Sequence, residues 1–214
     1  MDAAVELKII PRRYERIFRR EKEIRMVDLE DEMIPLDMKD IAIIRAFPTY
    51  DCEKTVLNVG CGPARIDFHL VTMGYRVFAT DIEKYDTWEG KKNLVFYRSN
   101  IFDLTSFPVK NAPIVICSQV LEHLKGYKIA LSNLLALTTT RLIITIPYQC
   151  AFDHPEHCNY WSDKATERFK DVKEFAELCK PYKTALSKII TKPQDVGKQF
   201  AYLIVVDKRQ DGDN

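Results

Sequence analysis

From Lys54 onward, blocks of apolar residues recur at two spacings, one typical of strands and the other typical of helices. Short runs rich in β-branched and aromatic residues predict seven strands. These runs are Thr55–Val59, Tyr75–Thr80, Leu94–Arg98, Ile114–Cys117, Arg141–Ile146, Thr184–Thr191 and Phe200–Val206. Segments with apolar residues on one side predict helices at Ala64–Met73, Gly126–Leu137 and Ser162–Cys179. Because strands and helices alternate, we predict an α/β protein with a doubly wound, mostly parallel seven-stranded sheet and helices on both faces.

The first fifty residues have a different character. Residues 12–25 carry apolar side chains at helical spacing and ion pairs four residues apart, which predicts an amphipathic helix with a basic outer face. Residues 28–40 are acidic, and Met38–Phe47 is apolar enough for a second helix. We therefore divide the chain into an N-terminal helical cap or lid, residues 1–50, and a main domain, residues 51–214.

Composition and charge exclude several classes of protein. The net charge is +1, so no global field attracts the molecule to nucleic acid or to an anionic membrane. No apolar run approaches the roughly 18 residues needed to span a bilayer, and Met1–Ile10 lacks the layout of a secretion signal. The cysteines include no Cys-x-x-Cys pair, a pattern typical of reduced thiols, and this predicts a cytoplasmic location.

The most informative segment is Asn58–Ala64 (Asn-Val-Gly-Cys-Gly-Pro-Ala), which joins the first predicted strand to a helix. Its two glycines permit positive φ and let a ligand approach bare peptide N–H groups at the carboxyl edge of the sheet. Asp81 ends the next strand, close to the roughly 20-residue spacing at which an acidic residue binds ribose hydroxyls. Asp81 alone could simply cap a turn, but together the two features predict nucleoside binding.

The identity of the nucleoside follows from the residues around the turn. Arg65 stands where a dinucleotide fingerprint has its third glycine, which disfavours a nicotinamide-dependent oxidoreductase. Instead Leu57–Ala64, Asp81 and Val120–Leu124 (Val-Leu-Glu-His-Leu) resemble the first, second and fourth motifs of class I S-adenosylmethionine-dependent methyltransferases. The resemblance is to the small-molecule branch with the LEHL motif. It implies a Rossmann-like fold and S-adenosylmethionine as the methyl donor, with S-adenosylhomocysteine as the product.

The resemblance also implies a donor site. The turn from Gly60 to Gly62 would lie against the amino-acid tail of the donor, Asp81 would bind the ribose and Ile82 would pack on the adenine. Asn100 falls where the family has an acidic residue at the adenine amino group, and Ser118 would line the donor beside its sulfonium. The full set of implied donor-binding residues is Asn58, Gly60, Cys61, Gly62, Asp81, Ile82, Asn100, Ile101, Phe102, Ser118 and Gln119.

Three positions depart from the family pattern. Asn58 replaces the usual carboxylate at the start of the turn, Ala64 replaces a third glycine, and Asn100 replaces an aspartate. An amide still forms hydrogen bonds and alanine adds one methyl group, so none of the three excludes donor binding. Together they motivate an alternative hypothesis, a non-catalytic S-adenosylmethionine-binding protein that acts as a regulatory subunit.

Histidines provide the candidate catalytic groups. His123 follows the fourth predicted strand close to the donor, where its alternative role is to orient the local loop. His154 and His157 lie in Asp153–Trp161, a loop that follows the strand Arg141–Ile146 and opens at the same sheet edge. We predict that this loop forms the acceptor pocket and that His157, His154 or His123 is the general base.

The acceptor is predicted to be an oxygen or nitrogen of a small molecule or saccharide. Nucleic acid is disfavoured because residues 118–121 lack the Asn/Asp-Pro-Pro-aromatic motif and the chain has no Pro-Cys dipeptide. An RNA or protein methyltransferase that uses the basic helix is a further alternative. The cysteines and histidines of this loop could also bind a metal ion, but the spacing of these residues matches no structural zinc module, so we predict no metal. Its possible ligands are Cys150, His154, His157 and Cys158.

Overall fold

The computed structural model describes residues 36–50, 52–88, 92–148, 155–190 and 200–208, and all structural statements concern these residues. They belong to one compact unit, Pro35–Asn214. The predicted basic helix at residues 12–25 lies outside the described residues, and so does His154. Among the described residues, no helix has the length and apolarity needed to cross a bilayer.

The described chain forms four helices and nine strands. The helices are α1 (Met38–Arg45), α2 (Arg65–Thr72), α3 (Tyr127–Leu137) and α4 (Glu174–Leu178). The strands are β1 (Thr55–Val59), β2 (Arg76–Asp81), β3 (Leu94–Arg98), β4 (Ala112–Ser118), β5 (Thr138–Tyr148), β6 (Trp161–Ser162), β7 (Lys170–Asp171), β8 (Lys183–Ile190) and β9 (Phe200–Asp207).

Seven long strands lie side by side in the order β3-β2-β1-β4-β5-β9-β8. The first five are parallel to their neighbours, whereas β9 is antiparallel to both β5 and β8. The two-residue strands β6 and β7 extend the sheet from Tyr148 at the end of β5. The predicted mostly parallel seven-stranded sheet is therefore confirmed. The strand order reverses between β1 and β4, and open α/β sheets bind their ligands at such a switch point, beyond the carboxyl ends of the strands.

Hydrophobic clusters cover the two faces of this sheet. Successive side chains of a strand point to opposite faces, and accordingly Val56 and Leu57 of β1 belong to different clusters. Leu57 packs with α3 residues such as Leu131, while Val56 packs with Ile43 of α1 and Leu70 of α2. Among the described residues, helices thus cover both faces of the sheet, as predicted.

Helix α1 falls inside the segment Met38–Phe47 where the sequence predicts it. Asp37 caps its start, since its carboxylate accepts hydrogen bonds from the backbone N–H groups of Lys39 (2.7 Å) and Asp40 (3.0 Å). Arg65, the first residue of α2, donates to Asp37 (2.6 Å) and lies 2.7 Å from a carboxylate oxygen of Asp40. Ion pairs therefore connect the two helices that follow each other along the chain.

The predicted helix Ser162–Cys179 is wrong over most of its length. Only Glu174–Leu178 is helical, and the preceding residues form β6, β7 and two turns. Hydroxyl side chains explain the difference, because Ser162 Oγ bonds both backbone groups of Lys164 and Thr166 Oγ1 accepts from two later N–H groups. Such local bonds give the backbone an alternative to helix formation, although the charged residues around them favour a helix.

Candidate active site

The turn after β1 has the backbone geometry of a ligand-binding turn. Gly60 and Gly62 have φ angles of +76° and +53°, and Ala64 has a φ of +62°, all in the left-handed region. The N–H groups of Gly60 and Cys61 both donate to the carbonyl of Thr80 in β2, at 2.8 and 3.0 Å. The turn is therefore held against the end of the neighbouring strand.

The two glycines face different surroundings. A Cβ added at Gly60 would lie 2.2 Å from Cγ2 of Val120, so the segment after β4 can pack on the turn only because residue 60 has no side chain. At Gly62 the Cβ position has no described atom within 4 Å. Among the described residues, the turn is thus packed against Val120 at Gly60 and leaves space at Gly62.

Asp81 lies directly beside the open part of the turn. One carboxylate oxygen accepts from the N–H of Gly62 (2.8 Å), and the other accepts from the N–H of Ile82 (2.7 Å). The oxygen that accepts from Ile82 also accepts a longer bond from the N–H of Glu83 (3.4 Å). A carboxylate oxygen has about two acceptor positions, so the oxygen beside Gly62 keeps capacity for a ribose hydroxyl. The predicted proximity of the turn and the aspartate is present in the structure.

Trp88 lines the opposite side of the same turn. Its indole N–H donates to the carbonyl of Gly62 (2.8 Å), and its ring stacks on Phe96 of β3 with centroids 5.1 Å apart and planes 12° from parallel. The hydroxyl of Thr87 donates to the carbonyl of Pro63 at 3.2 Å. These bonds hold the carbonyl side of the turn without covering the space at Gly62.

Asn58 lies beneath the turn. It is 2% exposed, and its Nδ2 donates to both carboxylate oxygens of Asp67 on α2, at 3.0 and 2.9 Å. Burial raises the pKa of Asp67 to about 7, against a hydrogen bond from Asn58 that lowers it. Asp67 on α2 thus forms a buried pair with Asn58 beneath the turn, which the sequence did not predict.

The residues assigned to the adenine lie at the ends of β2 and β3. Ile82 and Phe102 are large apolar side chains that are 60% and 45% exposed. Asn100 Oδ1 accepts from the N–H of Phe102 (3.0 Å), while Ile101 is buried in the core. The apolar surface suits a flat base, and the amide of Asn100 lies at its edge.

Ser118 and Gln119 follow β4 and are held by Thr145 of β5. The hydroxyls of Ser118 and Thr145 share a hydrogen bond of 2.7 Å, and the N–H of Gln119 donates to the carbonyl of Thr145 at 2.9 Å. Gln119 has a φ of +56°, which turns the chain sharply at the strand end.

Cys61, by contrast, is buried, and desolvation raises the pKa of its thiol, so it offers no nucleophile. The expectation of bare N–H groups at residues 60–62 is wrong, because those of Gly60 and Cys61 donate to Thr80 and that of Gly62 donates to Asp81.

The structure brings His123 and His157 together. Their ring centroids are 4.8 Å apart at an interplanar angle of 81°. The carbonyl of Glu122 accepts from the N–H groups of Cys158 (2.7 Å) and Asn159 (3.0 Å), which docks the loop from residue 155 onto the turn Leu121–His123. The sequence analysis expects both histidines at the same sheet edge.

Glu122 is the glutamate of the LEHL motif, and the sequence alone predicts no role for it. Its side chain is 1% exposed, and its Oε2 has no hydrogen-bond partner among the described residues. Burial raises the pKa of the carboxyl to about 8. Its Oε1 lies 4.0 Å from Nε2 of His123. A buried acidic group beside two imidazoles is the chemically most unusual cluster of this sheet edge.

Comparisons with known proteins find similarity to methyltransferases. A family model described as a methyltransferase domain matches residues 57–139. An S-adenosylmethionine-dependent methyltransferase from Archaeoglobus fulgidus is 17% identical with a TM-score of 0.57, and the match covers 91% of this chain and 100% of that one.

Two further structures share the fold. The 1,6-didemethyltoxoflavin-N1-methyltransferase of Burkholderia thailandensis is 16% identical with a TM-score of 0.58, over 98% of this chain and 94% of that chain. The magnesium protoporphyrin IX methyltransferase of Synechocystis PCC 6803 is 15% identical with a TM-score of 0.52, over 72% and 74%. No curated protein sequence matches the chain significantly.

The sheet order, the glycine turn and the aspartate beside it are the features of a doubly wound α/β fold with a candidate nucleoside site at its switch point. Residues 57–139 match a methyltransferase domain, and the described chain shares its fold with S-adenosylmethionine-dependent methyltransferases, whose methyl donor is S-adenosylmethionine. The described residues fit this donor, because the space at Gly62 is open, Asp81 adjoins it and apolar surface is exposed at Ile82 and Phe102.

Proposed function

We propose that the protein methylates an oxygen or nitrogen atom of a small-molecule or saccharide acceptor, and that His123 and His157 help to activate that atom. The observation that carries the proposal is the packing of Val120 on Gly60, since Val120 begins the segment that holds Glu122 and His123. Val120 therefore links the turn after β1 to the segment that carries Glu122 and His123.

Methyl transfer from a sulfonium is an in-line displacement. The bound donor supplies the electrophilic methyl group, and the protein must align the acceptor atom with it and draw away any proton that this atom carries. Alignment at near-attack distance can lower the barrier by several kcal/mol. Activation of the acceptor by a positioned imidazole adds roughly 10²- to 10⁴-fold. The loop from residue 155, with Tyr160 at 5.8 Å from His157 by ring centroids, supplies an aromatic wall for an acceptor.

Calorimetric titration of the protein with S-adenosylmethionine and S-adenosylhomocysteine tests the donor side of the proposal. We expect binding to the wild type and at least tenfold weaker binding to Asp81→Ala, because hydrogen bonds to a charged group contribute about 1.5–3 kcal/mol. Asp86→Ala is the matched control, since Asp86 is an exposed acid in the same loop and its loss should leave affinity unchanged. Absence of donor binding, or equal affinity for wild type and Asp81→Ala, contradicts the assignment.

The acceptor side is tested by transfer of a labelled methyl group to panels of hydroxylated, amine and saccharide acceptors. Turnover on one class identifies the acceptor atom. Donor binding without turnover on any panel supports the alternative of a regulatory subunit.

The alternative of an RNA or protein acceptor rests on the predicted basic helix outside the described residues, and predicts acceptor binding that weakens steeply with salt. We also propose a cytoplasmic location. It is supported by the free thiols of Cys61, Cys117, Cys158 and Cys179, which a reducing compartment would preserve.

A further inference from the structure

The strongest unassigned feature is the cluster of Glu122, His123 and His157 beside the donor turn. Each of the three offers one ligand atom, and these atoms all lie within 4.8 Å of one another. Zinc bonds to imidazole nitrogen and carboxylate oxygen are about 2.0–2.2 Å long, so two ligand atoms of a tetrahedral site lie roughly 3.4 Å apart. Side-chain rotations that bring the three atoms up to about 1.4 Å closer together would place them around one ion.

The hydrogen bonds of His123 orient it as a ligand. Its Nδ1 lies 3.3 Å from the carbonyl of Glu156, so the proton belongs on Nδ1 and the lone pair on Nε2. Nε2 is the atom that faces Glu122, at 4.0 Å from Oε1. Metal-binding histidines commonly donate their other ring N–H to a backbone carbonyl in this way, because the bond fixes the tautomer and the ring orientation.

Glu122 supplies the second, independent observation. The side chain is 1% exposed, yet no described group donates a hydrogen bond to its Oε2. A buried carboxylate oxygen without a partner loses hydration without compensation, and buried carboxylates normally have a partner cation or a metal ion. A divalent ion between Glu122 and the histidines removes that deficit.

We propose that Glu122, His123 and His157 bind one divalent transition-metal ion of the zinc type, and that the ion binds and activates the acceptor of the methyltransferase. Two imidazoles and one carboxylate are a ligand set of catalytic zinc sites, which keep a coordination position open. The proposal deepens the proposed function and rests on it for the role of the ion, whereas binding of the ion by the cluster does not depend on it.

The acceptor would occupy the open coordination position of the ion. An acceptor hydroxyl that coordinates the ion loses its proton to solvent at lower pH than in water, because the cation stabilises the alkoxide. The oxygen then forms the new bond to the methyl carbon while the carbon–sulfur bond breaks, and the electron pair of that bond stays on sulfur to give the neutral thioether. The histidines act as ligands in this scheme and accept no proton.

Metal binding is tested on tag-free protein that has been stripped with a chelator. Titration with Zn²⁺ against a chromogenic chelator should give one tightly bound ion per chain, and Co²⁺ should give the visible absorption of a low-coordinate site. His123→Ala and His157→Ala should each weaken Zn²⁺ binding at least about tenfold, in the range that loss of groups at such sites produces. His69→Ala is the matched control, because His69 lies on α2 away from the cluster, and it should change nothing.

Glu122→Gln keeps the shape of the buried side chain and should also weaken binding, with circular dichroism as the check that it folds. The metal site is contradicted if stripped protein takes up no ion, or if the histidine variants bind it as tightly as the wild type. Full methyl transfer by stripped protein would overturn the activating role of the ion while leaving the proposed function intact. Failure of donor binding would remove the proposed function but not the ion, whose binding is measured without donor.

Discussion

Ala64 has the backbone conformation of a glycine. Its φ of +62° lies in the left-handed region, which costs an L-residue roughly 1–2 kcal/mol. The family pattern has a third glycine at this position, and the structure gives the physical reason, since the chain must turn here to begin α2.

We expect Ala64→Gly to raise the free energy of unfolding by about 1 kcal/mol, because it removes this strain. Urea denaturation followed by circular dichroism measures the change. Ala130→Gly, in the right-handed helix α3, should have the opposite effect and lower stability by about 1 kcal/mol. A loss of stability in Ala64→Gly would show that the left-handed conformation carries no cost.

Asp67 makes stability depend on pH. Burial raises its pKa from 3.8 to about 7, so between these values the unfolded chain loses the proton while the folded chain keeps it. Stabilisation by the protonated carboxyl is therefore complete below pH 4 and is lost as the pH rises to 7.

Asp67→Asn removes this titration and preserves the hydrogen bond from Asn58, because the new amide oxygen can accept it. The unfolding free energy of the variant minus that of the wild type should therefore be larger at pH 8 than at pH 5, by on the order of 2 kcal/mol. Urea denaturation of both proteins at the two pH values measures this difference, and the contributions of other titrating groups cancel in it. A difference in unfolding free energy that is the same at both pH values would contradict a raised pKa at Asp67.

Among the elements, the glycine turn and the segment after β4 depend on each other. Gly60→Ala places a methyl group 2.2 Å from Val120 Cγ2 and also strains a backbone with a φ of +76°. Gly74 is a matched control, since its φ is +86° and its Cβ position has no neighbour within 4 Å. Gly74→Ala therefore measures the backbone cost alone.

We expect Gly60→Ala to destabilise the protein by about 1–3 kcal/mol more than Gly74→Ala, because of overpacking, and to weaken donor binding. Val120→Ala should restore part of both losses in the double variant, since it removes Cγ2. A double-mutant cycle on unfolding free energy and on donor affinity measures this coupling. Additive effects would mean that the two residues do not touch.

The strands were predictable because each is a short, continuous apolar run, and the structure places all seven within a few residues of the predicted bounds. The segment Ser162–Cys179 was not, because Ser162 and Thr166 bond the nearby backbone, which side-chain periodicity does not reveal. The only sequence signal for these turns was the hydroxyl residues themselves, at the start and in the middle of the charged run.

The site divides in the same way. Gly60, Gly62 and Asp81 were found because turn chemistry and spacing are local properties of the sequence. No spacing rule indicates the hydrogen bonds between Asn58 and Asp67, because they depend on how distant segments pack. The same holds for the buried Oε2 of Glu122, which has no hydrogen-bond partner among the described residues. An acidic residue on the buried side of a predicted helix was the available signal for Asp67.

At the scale of the whole molecule, the strand order brings the predicted donor residues to one end of the sheet. The carboxyl ends of β1, β2 and β4 meet at the reversal between β1 and β4, and the predicted donor residues follow these strands or β3. The charges of the chain nearly cancel, so association with a partner depends on this local surface more than on a long-range field.

The bond from the indole of Trp88 to the carbonyl of Gly62 gives the enzyme an internal optical label. Tryptophan emission responds to the polarity and hydrogen bonding around the ring, and Trp88 is bonded to the residue against which the donor tail would rest. The sequence has one other tryptophan, Trp161, which is fully buried and donates to Glu174. Its emission supplies a constant background, so a fluorescence change on adding ligand reports on the turn itself and needs no attached dye.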